Sequence, residues 1–298
     1  MHKHRRKPSN KSDETISNST CSSAVIQLFR NFALELEEKQ DRYERLVKIG
    51  RDITVESKRL IFFLHSHRRG TEDGENVLRE GKTRLINIVK FQFSKILKEL
   101  EDRDIHQYLR AFSFGVQEFI EAFSFYHFLV TETLLTFEEV KDFLECNSQI
   151  QTQTNVPSDG DSKDFDKIEP PLSSSPPKTL NTNWIVPHNH CIITMLDYVL
   201  GLNDLTGELM RYSINQVANG EIPAAFDICR FMTNLYSGML SVSLNSREYS
   251  RKMFTVIQSV KKVEMACYTV RVRGSEMPKK LIFSVLEDEN VCEDDTHF

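Results

Sequence analysis

AVIQLFRNFALELEEKQDRYERLVKIGRDITVESKRLIFFLHSHRR, residues 24–69, is the stretch that decides the fold class of this chain. It contains no proline, and its apolar side chains recur at the three- and four-residue spacing of an α-helix. As a single helix it would be about 68 Å long. A helix of that length cannot bury itself in a small globule, so the run predicts an elongated bundle or packing against other subunits. The apolar positions are Leu28, Phe32, Leu36, Tyr43, Leu46, Ile49, Ile53, Leu60 and Leu64.

Helical patterning continues through most of the remaining chain and predicts an all-α fold of about seven helices, the first of them very long. A break at Gly70–Gly74 ends the first helix. Thr136 and Glu139 have the spacing of a capping box, which indicates the start of a short helix that ends near Cys146. No segment has a convincing strand pattern. The other predicted helices are 75–100, 104–130, 191–217, 223–244 and 246–272.

Composition divides the chain into a helical domain, residues 23–280, and two tails. Residues 1–22 are basic and otherwise rich in Ser, Asn and Thr, which predicts a disordered tail. Residues 147–187 change to Gln, Thr, Ser, Asp and Pro, so we expect a mobile insertion or linker inside the domain. Residues 281–298 form an acidic C-terminal tail.

The charge balance and the cysteine pattern narrow the classes of function. The chain has 298 residues and a formal net charge of -5, so any nucleic acid must bind a local basic patch. Its six cysteines are widely spaced and form no C-x-x-C pair, which is typical of a reducing compartment. No apolar run reaches the length of a membrane span, so we expect a soluble protein without membrane contact.

Two acids on the third predicted helix stand in unusual surroundings. Glu118 and Glu121 project from the side opposite the main apolar face, where a solvated helix would be polar. Phe114, Phe125 and Phe128 occupy that same side and bracket the two acids, so we expect the helix to be buried nearly all round. Carboxylates in apolar surroundings must be paired, protonated or bound to a metal.

The fifth predicted helix carries a second pair of acids. Asp204 and Glu208 lie on a narrow polar stripe beside Arg211. If the two helices face each other, four carboxylates converge, and an all-oxygen ligand set selects Mg²⁺ or Mn²⁺ over zinc. Such a site suits phosphoryl transfer. Arg211 would then either contact the substrate phosphate or balance the charge of the acids. The alternative is that the four acids form ordinary ion pairs with a structural role.

Basic residues on the first helix suggest a surface for RNA. Arg42, Arg45 and Lys48 step by three residues and are followed by Lys58, which would lay a positive stripe along one long element. Interleaved acids favour an ordinary mixed-charge surface instead, so both interpretations stay open.

Four longer segments resemble the translin family, in its translin-associated branch. They occur in the order and spacing of that family and together cover roughly residues 25–145 and 190–280. The segments are DRYERLVKIGRDITVESKR (41–59), QEFIEAFSFYHF (117–128), DYVLGLNDLTGELMRYSIN (197–215) and KVEMACYTVRVRGSEMPK (262–279).

The resemblance implies a seven-helix translin-like fold that assembles with translin into a hetero-octamer. It further implies an Mg²⁺-dependent endoribonuclease that cleaves single-stranded RNA. That activity would promote activation of the RNA-induced silencing complex by removing the nicked passenger strand of small interfering RNA. The family's catalytic and metal-binding acids fall on Glu118, Glu121, Asp204 and Glu208. Localisation in cytoplasm and nucleus is expected by the same resemblance, and the alternative function is a non-enzymatic scaffold that stabilises translin and recruits other proteins.

Overall fold

The computed structural model describes residues 13–101, 103–148, 192–242 and 244–273, and these ranges form a bundle of helices without strands. A π-helical segment, Val89–Phe93, joins α2 to α3 without a break, so the described chain has the seven helices predicted from the sequence. None of the helices in these ranges is long and apolar enough to span a lipid bilayer. The α-helices are α1 (Asp13–Leu64), α2 (Glu72–Ile88), α3 (Ser94–Glu99), α4 (Leu109–Thr131), α5 (Phe137–Ser148), α6 (Met195–Asn219), α7 (Ile222–Ser241) and α8 (Arg247–Arg273).

Several predicted helix boundaries differ from those in the structure by a few residues, and the starts of α1 and α4 differ most clearly. Helix α1 begins at Asp13, inside the segment predicted as a disordered tail. A 3-10 turn over Ile105–Gln107 precedes α4, so the regular helix starts later than the predicted residue 104. Residues 1–12, the acidic tail and all of the predicted insertion except the last two residues of α5 lie outside the described residues.

Local hydrogen bonds explain where two of the helices begin and end. At the start of α5 the Glu139 backbone N–H donates to the Thr136 hydroxyl (3.2 Å) and the Thr136 backbone N–H donates to the Glu139 carboxylate (2.7 Å), which confirms the predicted capping box. Helix α6 begins after Thr194, whose hydroxyl accepts from the backbone N–H of Asp197. It ends at Gly220, where φ is 85° and a residue with a Cβ would be strained.

Helix α4 packs between α1 and α6, and glycines allow the backbones to touch at both contacts. A Cβ on Gly115 would lie 2.4 Å from the carbonyl oxygen of Gly50 on α1. A Cβ on Gly201 of α6 would lie 2.8 Å from the carbonyl oxygen of Gln117. Because these close contacts flank the start of the acid-bearing turn of α4, they fix how far apart the side chains of the three helices stand.

The two halves of α1 lie in different surroundings. Its C-terminal half is buried in the bundle through Leu46, Ile53 and Leu60. The apolar positions Leu28 and Phe32, which continue the same periodicity, are about half exposed. The apolar periodicity therefore indicates one continuous helix, but the other helices of this chain bury only its C-terminal half.

Candidate active site

Four helices, α1, α4, α6 and α8, line a cavity of about 640 Å³. All four acids named from the sequence line this cavity, and so does Arg211. The structure therefore brings together two acid pairs that are separated by more than 80 residues in the chain. The charged side chains in the wall are Glu118, Glu121, Asp204, Glu208, Lys58, Arg211 and Lys252.

Glu118 and Lys58 connect α4 to α1 across the cavity. The Lys58 Nζ lies 3.1 Å from the Glu118 Oε1, and the glutamate side chain is only 9% exposed. Burial raises the pKa of Glu118 above its usual range, while the hydrogen bond and the charge of Lys58 act to lower it. The lysine thus offsets part of the cost of holding a carboxylate inside the protein.

Glu121 is buried and has no cationic partner. Its carboxylate forms no salt bridge and no hydrogen bond with the other described residues. Burial, followed by the negative charges of Asp204, Glu118 and Glu208, raises the pKa of Glu121 to about 9. In the absence of a bound cation, Glu121 therefore holds a proton at neutral pH.

Asp204 is paired with Lys252, which reaches into the cavity from α8. The Lys252 Nζ donates to the Asp204 Oδ2 at 2.6 Å and to the Gln117 Oε1 at 3.0 Å, so one ammonium group connects α8, α6 and α4. Burial raises the pKa of Asp204, and the hydrogen bond from Lys252 opposes this effect. The aspartate side chain is 32% exposed, so it is more open to solvent than Glu118.

Glu208 contacts an imidazole and a guanidinium group. The His65 Nε2 lies in direct contact with the Glu208 Oε2, and the Arg211 Nη1 is 4.0 Å from the same oxygen. The ring of His65 is itself packed against Phe125, with ring centroids 4.8 Å apart. The position of the Glu208 carboxylate is therefore set by His65 in the turn that follows α1, whose side chain is 7% exposed.

The donor chemistry of the cavity fits a hard divalent cation. The wall holds four acids against three basic side chains, and the unpaired acid is the buried Glu121. Asn203, beside Asp204, also lines the cavity, and its buried amide oxygen and nitrogen have no hydrogen-bond partner among the described residues. Carboxylate and amide oxygens are the ligands that Mg²⁺ prefers. As the side chains stand, however, no three His, Cys, Asp or Glu residues in the described ranges are grouped closely enough to share an ion.

The basic stripe predicted on α1 is separate from this cavity. Arg42 hydrogen-bonds the carbonyl oxygen of Glu99 (3.2 Å), and Arg45 forms two hydrogen bonds with the Glu99 carboxylate (3.0 and 3.1 Å). Lys48 is exposed, and none of the three lines the cavity. Lys58, predicted as a continuation of the stripe, lies instead in the cavity wall.

Sequence reasoning missed three residues at this site, Lys252, His65 and Asn203. Each contributes one polar group from an otherwise ordinary helical segment, and no spacing rule links Lys252 to Asp204 or His65 to Glu208. Of the three, Asn203 was the easiest to predict from the sequence because it directly precedes Asp204. The prediction that phenylalanines enclose the acids is right for Phe125 and Phe128, which are buried, and wrong for Phe114.

Comparison with curated proteins identifies a set of relatives that extends over most of the chain. Translin-associated protein X of Rattus norvegicus is 41% identical over 265 residues, which cover 89% of this chain and 84% of the rat protein. A translin-associated protein X homolog of Schizosaccharomyces pombe is 24% identical over 83% of this chain and 87% of its own length. Translin of Mus musculus is 22% identical over 84% of this chain and 94% of its own length.

Solved structures share the fold. The crystal structure of apo-NeC3PO superposes with a TM-score of 0.52 at 18% identity and covers 80% of this chain and 94% of its own. The AfC3PO complex with duplex RNA gives a TM-score of 0.50 at 16% identity. The match covers 84% of this chain and 99% of the AfC3PO chain. The sequence profile of the translin family matches residues 41–274, the range that contains every residue of the cavity described above. With this match and the 41% identity to the rat protein, the chain belongs to the translin family.

Proposed function

We propose that this chain is the catalytic subunit of a translin-containing, metal-dependent endoribonuclease. The observation that carries the proposal is the cavity itself, in which four carboxylates from α4 and α6 stand beside Lys58, Lys252 and Arg211. The names of the relatives support association with translin, and the AfC3PO complex shows a related fold that binds RNA. Under this proposal the assembly is a hetero-octamer of this chain with translin.

Glu118, Glu121, Asp204 and Glu208 would hold Mg²⁺ or Mn²⁺, with the Asn203 amide oxygen as a further donor. When bound, the ion would neutralise the scissile phosphate and lower the pKa of a coordinated water. The chain's own residues then bind and orient the RNA. Arg211, half exposed at the mouth of the cavity, is placed to pair with a backbone phosphate.

Besides binding the metal ion, the carboxylates would transfer protons. A carboxyl group whose pKa is raised by burial is suited to accept and return a proton near neutral pH. Glu121 has this property, and its pKa of about 9 describes the cavity before a cation enters. We therefore assign Glu121 the role of the residue that couples cation binding to loss of a proton.

For the substrate and the cellular role we extend the family resemblance to this chain. We propose single-stranded RNA as the substrate, including the nicked passenger strand of small interfering RNA, whose removal would activate the RNA-induced silencing complex. The protein would act in both cytoplasm and nucleus. The basic N-terminal segment is the candidate for nuclear entry.

The second candidate function is a non-enzymatic scaffold that stabilises translin and recruits other proteins. The ion pairs of Lys58 with Glu118 and of Lys252 with Asp204 favour it, because they connect neighbouring helices without any metal. In this case the acids contribute to folding and assembly alone.

The deciding experiment uses the chain co-expressed with translin and a labelled single-stranded RNA, with Mg²⁺ or with EDTA. We expect Glu121→Ala to preserve assembly and RNA binding and to reduce cleavage at least about 100-fold. Glu138→Ala, at an exposed acid on α5, is the matched control and should cleave like the wild type. Cleavage by Glu121→Ala at the wild-type rate would reject this cavity as the nuclease site. A lower melting temperature or complex yield without a change in cleavage would support a structural role for the acids, as in the scaffold.

A further inference from the structure

Two exposed phenylalanines stand at the rim of the carboxylate cavity. Phe62 on α1 is 73% exposed and Phe114 on α4 is 58% exposed, and both line the cavity. Most of each ring is left open to solvent beside a charged cavity, so neither belongs to the core of this chain. Their position calls for a ligand with both a flat apolar face and charge.

The two rings bracket the ion pair that connects α1 to α4. Phe62 lies one helical turn after Lys58 on α1, and Phe114 lies one turn before Glu118 on α4. The contacts Gly50 to Gly115, Lys58 to Glu118 and His65 to Phe125 advance in the same direction along both helices, so α1 and α4 run parallel here. Along the two helices, the rings therefore lie on opposite sides of the Lys58–Glu118 pair.

Two cationic side chains stand near the rings. The Lys58 Nζ lies 5.9 Å from the centroid of the Phe114 ring, and Arg211 lines the same cavity from α6. Cationic groups beside open aromatic rings are the combination that binds single-stranded nucleic acid, since the cations contact phosphates while bases stack on the rings.

We infer that Phe62 and Phe114 are stacking platforms for two nucleobases of single-stranded RNA, one on each side of the phosphate held at the carboxylate cavity. This inference rests on the proposed function. It adds a physical reason why the nuclease would prefer single-stranded RNA. Bases in a duplex are already stacked and paired, so only an unpaired strand can place two bases on these rings.

The test measures RNA binding by the complex with translin, in EDTA, so that cleavage is not needed for the readout. The probe is a short single-stranded RNA that contains 2-aminopurine, whose fluorescence falls when it stacks on an aromatic ring. We expect Phe62→Leu and Phe114→Leu each to weaken binding roughly tenfold and to restore the fluorescence, because leucine keeps apolar bulk without a ring. Phe62→Trp and Phe114→Trp should bind at least as tightly as the wild type.

Two controls separate stacking from a structural effect. Phe254→Leu removes an equally exposed ring, 64% exposed on α8, that does not line the cavity, and it should leave the affinity unchanged. RNA with abasic sites in place of the two stacked bases should bind the wild type as weakly as intact RNA binds the double leucine variant. The double variant should not distinguish the two RNAs.

Each outcome decides one question. If the leucine variants bind intact RNA like the wild type while wild-type cleavage is normal, the stacking platforms are rejected and the nuclease stands. If the wild type binds RNA with quenching but does not cleave in Mg²⁺, the platforms stand and the nuclease fails. If the leucine variants lose assembly with translin, and the tryptophan variants do not restore RNA binding, the rings belong to a protein interface and the inference is wrong.

Discussion

Helices α4 and α6 each contribute two acids to the same cavity, but they hold them in different ways. The α4 acids are enclosed by protein, with Glu118 9% exposed and Glu121 buried. The α6 acids face the open side, at 32% exposure for Asp204 and 23% for Glu208. Helix α4 also contains Glu121, the acid of the cavity that has no basic partner. The α4 side therefore bears most of the free-energy cost of removing carboxylates from water.

This difference has a physical origin in the helix packing. Helix α4 is apolar on nearly every side and lies between α1 and α6, so its two acids are largely shielded from solvent. Helix α6 presents a narrow polar stripe, and Lys252 and His65 approach that stripe from outside. The strongly raised pKa therefore belongs to α4, at Glu121, whereas both acids of α6 have a basic partner.

The largest expected effect is on the pH dependence of stability, through Glu121. Its folded-state pKa of about 9 lies above the ordinary value of 4.5, so the folded protein binds the proton more tightly than the unfolded chain. Stability from this group is therefore fully present below about pH 4.5 and is lost as pH rises towards about 9. Glu121→Gln removes this loss and should stabilise the chain at pH 8 relative to pH 5 by about 2–4 kcal/mol.

Chemical denaturation of the complex at both pH values, in EDTA, measures this prediction. Glu138→Gln should follow the wild type at both pH values because that side chain is exposed. A variant that gains nothing at pH 8 would show that Glu121 is ionised and compensated in the folded protein, and the contrast between α4 and α6 would disappear.

The next largest effect is expected on removing Lys252, the ammonium group that pairs with Asp204 of α6. Lys252→Met leaves Asp204 without its ammonium partner and Gln117 without its donor, so we expect a loss of about 2 kcal/mol in unfolding free energy. Adding Asp204→Asn to this variant should recover part of the loss, since an amide has no charge to compensate. Lys261→Met, at an exposed lysine of the same helix, is the control and should change stability little.

These two predictions also mark what the sequence reveals and what it does not. Helix positions and the burial of Glu118 and Glu121 were predictable, because apolar periodicity and flanking phenylalanines are local patterns. The pairing of Lys252 with Asp204 depends on how α8 packs on α6, which no local pattern encodes. Phe114 was predicted to be buried because a helical wheel shows which side a residue occupies and not which neighbour covers that side.

A smaller effect tests whether the two acid pairs hold one ion. If they do, Mg²⁺ at about ten times its dissociation constant should stabilise the wild-type complex by about 1.4 kcal/mol, and the gain should increase with pH as Glu121 loses its proton. Melting temperatures measured without RNA follow this binding, and the Glu121→Gln complex should respond to Mg²⁺ much less than the wild type because it lacks one of the four carboxylates. An equal response of both proteins would place the ion on the α6 acids alone.

The smallest expected effect concerns the basic stripe on α1, where exposed pairs contrast with the pairs inside the cavity. The guanidinium group of Arg45 is already bound to the Glu99 carboxylate at the surface, so Arg45→Ala should cost less than about 1 kcal/mol of stability. Because this contact is far from the cavity wall, we also expect less than a twofold change in RNA affinity for this variant and for Arg42→Ala and Lys48→Ala. Titrations of RNA binding at several salt concentrations decide the matter, since each phosphate contact contributes to the salt dependence of the binding constant. If the three variants bind RNA much more weakly and with a flatter salt dependence, the stripe is part of the RNA path, and the enclosed acids of α4 then lie at the end of a long basic track.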